Sequence, residues 1–80
     1  MGELPKAVVE RMLKQESGMR VSSEAVNMAS KLAEEVIRYI GREGGVLAKH
    51  AGRSTLMASD LKLASRRVNE AVDKLLQEQA

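Results

Sequence analysis

Tyr39 is the only aromatic residue in the chain, which has no Trp and no Phe. A core without aromatic side chains must be built from Val, Leu, Ile, Met and Ala. The β-branched and aromatic clusters typical of sheets are sparse, so the predicted fold class is all-α. The same lack argues against modules that stack unpaired bases on aromatic platforms. If nucleic acid is bound, a duplex held by its backbone is the expected target. At 80 residues the chain makes one small domain. Such a domain buries only about 60–65% of the surface its unfolded form exposes, and the usual supports are disulfides, metals or oligomerisation. There is no Cys to form a disulfide, and His50 is the only His, so neither a metal site nor a cofactor is expected. Oligomerisation remains.

Net charge is +2, a weak pointer in bulk, so the distribution of charge matters more. No apolar run approaches the ~20 residues of a transmembrane helix, and no leader-like pattern opens the chain. The expected location is cytoplasmic.

Periodicity divides the chain into helices. Pro5 suits a first helical turn, Ala7, Val8, Met12 and Leu13 recur at helical spacing, and Ser17-Gly18 is a stop. Ser22 is a good N-cap for a second helix, with Glu24 in its first turn. Val26, Ala29, Ala33, Val36, Ile37 and Ile40 then hold a 3.6-residue period. Gly41-Arg42-Glu43-Gly44-Gly45 interrupts it with three Gly in five residues. These cost a helix about 2–3 kcal/mol relative to Ala, so propensity alone would break the helix and restart it at Val46. A third helix starts near Ala58-Ser59-Asp60, and Leu61, Ala64, Val68, Ala71, Val72, Leu75 and Leu76 give it a stripe of about five turns.

The segment Lys49-His50-Ala51-Gly52-Arg53-Ser54-Thr55, followed by Ala58-Ser59-Asp60-Leu61, reads as a helix end, a tight basic loop and a new helix start. Arg20-Val21-Ser22 makes a second basic loop. Both loops, their spacing and the opening Glu3-Leu4-Pro5-Lys6-Ala7 resemble the archaeal histones over residues 3–67, without a gap. The resemblance implies a histone fold of short helix, long central helix and third helix, with two chains clasped head to tail in a handshake. It also implies that the central helix runs unbroken between the loops, and that is the reading adopted. Residues 68–80 are an extension of the third helix beyond the usual family length.

In that handshake the first loop of one chain lies beside the second loop of the other, offering N–H groups and basic side chains to phosphates. Arg20, Ser22, Arg53, Ser54 and Thr55 occupy those loops. Arg11 and Lys14 share a face of the first helix. By resemblance, Arg11 matches an arginine that enters the DNA minor groove and Lys14 matches a phosphate contact. Arg53 and Asp60 match a structural pair that braces the second loop, with a phosphate role for Arg53 second. Ser54 stands where the family usually has Lys, which removes two charges per dimer near phosphate. Leu47 and His50 match residues that join dimers, His50 facing the neighbouring dimer's equivalent of Asp60. The bulkier Glu16-Ser17-Gly18-Met19 replaces a small-residue segment of the family, which argues against unlimited stacking of dimers.

Val68, Val72, Leu75 and Leu76 must be buried somewhere, either on the flank of their own dimer or against another dimer. The sequence holds no nucleophile–base pair, no carboxylate dyad and no glycine-rich phosphate loop, so no enzyme is expected. The function expected is that of an architectural protein on the chromosome, compacting or bridging duplex DNA with little sequence preference. It would act as a homodimer that assembles to a tetramer. The alternative is a histone-fold protein-interaction component that has lost its DNA contacts.

Overall fold

A computed structural model of the chain describes residues 3–79; Ala80, the last residue of the expected extension, lies outside them. The described elements are helix α1 (Lys6–Ser17), helix α2 (Ser23–His50), helix α3 (Ala58–Ala64), a 3-10 turn (Ser65–Arg67) and helix α4 (Val68–Gln79). The short, long, short order of the first three is the one the resemblance implies. Two compact units divide the chain, one ending at Glu34 and one beginning at Glu35, so the boundary falls within α2.

In the first unit, Pro5 begins α1, its carbonyl accepting the N–H groups of Val8 and Val9 at 3.2 Å each. Gly18 ends the helix in the left-handed region at φ 68°, where its N–H reaches the Lys14 carbonyl at 2.8 Å. The Ser22 hydroxyl accepts the Ala25 N–H at 3.0 Å, the expected cap of α2. Two contacts tie the N-terminal segment to α2. The buried Glu34 carboxylate accepts the N–H groups of Glu3 at 2.7 Å and Leu4 at 3.4 Å, and the Lys6 ammonium donates to the side-chain oxygen of Asn27. Ser30 is buried with no hydrogen-bond partner for its hydroxyl.

In the second unit α2 continues through Gly41, Gly44 and Gly45 without a break. The three glycines differ in surroundings. A Cβ on Gly44 would lie 3.1 Å from Leu56 Cδ1 and 3.2 Å from Leu61 Cδ2, whereas one on Gly41 or Gly45 would meet nothing within 4 Å. Gly44 is therefore where α2 admits the residues at the start of α3 at close range. After His50 the chain closes a Schellman motif. Gly52, at φ 73°, donates to the Lys49 carbonyl at 2.9 Å, and Arg53 N–H donates to the Ala48 carbonyl at 2.9 Å.

The single five-turn third helix expected from the stripe is not what forms. α3 ends at Ala64, and a 3-10 turn separates it from α4. The Ser65 hydroxyl donates to the Lys62 carbonyl at 2.8 Å, a local bond that competes with the regular helical ladder. The turn tightens the chain without breaking it, since Ala64 and Val68 keep right-handed helical dihedrals. Ala64 and Ala71 are buried; Val68, Val72 and Leu75 are half-buried.

Burial within one chain is thin. The buried apolar residues are Val26, Ala48, Ala64 and Ala71, while Met12, Ile37, Val46, Leu56, Met57 and Leu63 are exposed. Each such large side chain forgoes about 1.5–3 kcal/mol if left in water, so the chain by itself lacks the core its length already made hard to build.

Candidate nucleic-acid interface

Each proposed contact residue is best judged by whether its charge is already engaged. In the first unit Arg11 is exposed on α1, and Arg20 is exposed just beyond the left-handed Gly18. Neither has an ion pair or hydrogen bond among the described residues. Lys14 is also exposed but pairs with Glu10, one helical turn earlier, at 3.5 Å. That pair is solvent-exposed and worth little, yet it sets a carboxylate beside any phosphate that Lys14 would meet. Ser22 uses an oxygen lone pair for its cap, which leaves its O–H able to donate.

The second loop is more tightly built. Arg53 grips Asp60 with both terminal nitrogens, Nη1 to Oδ2 at 2.8 Å and Nη2 to Oδ1 at 2.7 Å. The same Nη1 donates to the Thr55 carbonyl at 3.1 Å, and Asp60 Oδ2 also accepts the Met57 N–H at 2.8 Å. The fork geometry locks loop and helix start into one piece. The hydrogen bond from Arg53, followed by that from Met57, lowers the Asp60 pKa from 3.8 to about 2, and the same carboxylate raises that of Arg53. Arg53 is thus half-buried and occupied, while Ser54 and Thr55 stay exposed at the loop tip.

A groove with apolar walls adjoins each loop. Leu13, Met19, Val21 and Ala25 line one of about 450 Å³ together with Arg20 and Ser22. Gly45, Ala48 and Leu56 line one of about 370 Å³ together with Arg53, Ser54 and Thr55.

The expected assembly residues are spread over the second unit. His50 is exposed at the end of α2. Leu47 is half-buried in a groove of about 230 Å³ with Tyr39, Leu63 and Arg67. Asp60 is only 3% exposed, and its bonds to Arg53 and Met57 leave one lone pair on Oδ1 for any further donor. On α4, Ala71 and Leu75 share a small cavity with Glu35 of α2, whereas Leu76 is 43% exposed.

Sequence reading missed three features. The Glu10–Lys14 pair was available from its i,i+4 spacing. The Glu34 clasp on Glu3 and Leu4 spans about thirty residues and had no local signal. The close approach at Gly44 was legible only as a glycine in the wrong place. Among the described residues no three of His, Cys, Asp and Glu gather as a metal site, and no helix is long and apolar enough to cross a membrane.

A short, long, short helical order with a basic loop at each end of the long helix defines a histone-fold protein. The family of histone-like transcription factors (CBF/NF-Y) and archaeal histones matches residues 2–65, and the chain belongs to it. It is 36% identical over 64 residues to the archaeal histone HAN1 of Thermococcus zilligii, covering 80% of this chain and 96% of that one. It is 41% identical over 66 residues to the probable archaeal histone 3 of Methanocaldococcus jannaschii, covering 82% and 98%. The DNA-binding protein HmvA of Methanocaldococcus jannaschii is 37% identical over 59 residues, which are 74% of this chain and 62% of that protein. A member of this family is a structural protein and not an enzyme.

Proposed function

We propose that this chain is an architectural protein of the chromosome that binds duplex DNA through its backbone, with little sequence preference. It acts as a head-to-tail dimer that assembles further, to a tetramer able to hold two duplexes together. The observation that carries the DNA reading is that Arg11 and Arg20 are exposed and have no internal partner among the described residues. Cations of this kind neutralise phosphates and release counterions. The apolar walls beside both loops support the handshake, in which each loop would be seated against the other chain's second or first loop. The exposed Leu76 at the end of a half-buried stripe supports assembly beyond the dimer.

A second reading, a protein-interaction component, draws on one observation. Lys14 is paired with Glu10 and Arg53 with Asp60, while Ser54 is uncharged, so the DNA face keeps few unengaged cations. Gel shifts with random-sequence duplex at several salt concentrations separate the two. Binding that weakens steeply with salt and is lost in Arg11→Ala/Arg20→Ala supports the DNA reading. Normal binding by that double variant, or no binding by the parent at low salt, overturns it.

A further inference from the structure

Beyond the 3-10 turn, the outer face of the C-terminal segment carries its charges in an ordered way. Arg66 is exposed and has no ion pair or hydrogen bond among the described residues. Asp73, seven residues or two helical turns further on, is likewise exposed and without a partner there. Asn69 stands between them, and the half-buried Val72 and the 43% exposed Leu76 run alongside. The buried Ala71 lies on the opposite side of the helix from Asn69 and Asp73, toward the chain's own interior. One further ion pair sits on this segment, Arg67 with Glu70 at 3.8 Å, and it is almost fully solvated.

A face that is basic at one end and acidic two turns later complements itself when reversed. If two copies lie antiparallel about a twofold axis beside Asn69, Arg66 of each meets Asp73 of the other. Symmetry makes the contact twice, as an isologous interface requires. A parallel arrangement would oppose like charges. DNA is a poor fit for the same surface, since Glu70 and Asp73 repel phosphate. We propose that the outer face from Arg66 to Leu76 docks the same face of a second copy of this chain, antiparallel, with reciprocal Arg66–Asp73 ion pairs flanking Val72 and Leu76. This rests on, and gives chemistry to, the assembly beyond the dimer proposed above.

The test is sedimentation of the full chain without DNA, over a range of protein concentrations, for the parent, Arg66→Asp, Asp73→Arg and the double charge swap. Each single variant opposes like charges at two contacts and weakens assembly above the dimer about tenfold or more. The double swap restores attraction and returns to within about threefold of the parent, with helicity unchanged throughout. Raised salt weakens the parent and the swap alike. The proposal is overturned if the swap assembles no better than the single variants, or if the single variants match the parent. A parent that stays dimeric at every concentration overturns it too, as does an Arg66→Asp variant that assembles normally but loses binding to a short duplex. Because assembly is read with no DNA present, a parent that assembles as expected yet binds no duplex overturns the DNA reading alone.

Discussion

Three glycines within one helix, only one of them crowded, make a stability experiment with opposite expected signs. Gly→Ala inside a helix gains about 0.8–1.0 kcal/mol from propensity. At Gly41 and Gly45 a new Cβ meets nothing within 4 Å, so Gly41→Ala and Gly45→Ala should each be more stable by about that amount. At Gly44 the new Cβ would sit 3.1 Å from Leu56 Cδ1 and 3.2 Å from Leu61 Cδ2. Carbon pairs prefer about 3.5–4.0 Å, so both leucines must retreat by a few tenths of an ångström. Overpacking of this kind costs about 1–3 kcal/mol, which cancels or outweighs the propensity gain. The separation between Gly44→Ala and Gly45→Ala should therefore be about 1–3 kcal/mol. For a domain of this size that is roughly 4–8 °C of Tm per kcal/mol. Thermal and urea denaturation at one fixed chain concentration reads it, because a protein that folds as a dimer has a concentration-dependent midpoint. Equal stabilisation by Gly44→Ala and Gly45→Ala would refute the packing argument. Destabilisation by Gly45→Ala would instead place a second chain against that stretch of α2.

Asp60 is held at a pKa of about 2, below its ordinary 3.8, so its contribution is fully present above the unfolded value and is lost as pH falls through about 2. Acid titration of the parent should show that loss, and Asp60→Asn should abolish it while lowering stability at neutral pH. Ser54→Lys adds a cation at both loops of a dimer and should steepen the slope of log affinity against log salt by up to about 2; an unchanged slope would put Ser54 away from phosphate. Ser30→Ala removes a buried hydroxyl with no partner, and should raise stability by about 1 kcal/mol in urea denaturation. A loss instead would mean that a partner chain satisfies that hydroxyl.

The ends of the helices were legible because they are written locally. Pro5, Gly18, Ser22 and Gly52 each act through atoms within a few residues, and each stands where the caps and turns form. The Gly41–Gly45 stretch was ambiguous on propensity because what decides it is distant: Leu56 and Leu61 occupy the space a side chain at Gly44 would need. The break in the third helix escaped periodicity for the opposite reason. A single Ser65 hydroxyl bond and a tightened turn alter the hydrogen-bond pattern while leaving the apolar spacing nearly intact. At the interface, residue type pointed to Arg11, Lys14, Arg20 and Arg53 alike. Only the geometry sorts the two with no internal partner from the two engaged by Glu10 and Asp60.

The second loop also bears on how a ligand would be met. Gly52 and Arg53 close one side of it with backbone bonds, and the Arg53–Asp60 fork holds the other against α3. Fixing a flexible residue costs about 1–2 kcal/mol of conformational entropy, and here folding has met that cost before any phosphate arrives. A loop so preorganised approaches its ligand as a rigid body. Association then needs no disorder-to-order step, and its heat-capacity change should be small, reflecting surface burial alone. Cutting the fork would leave the chemical groups of the loop in place and transfer their ordering to the moment of binding.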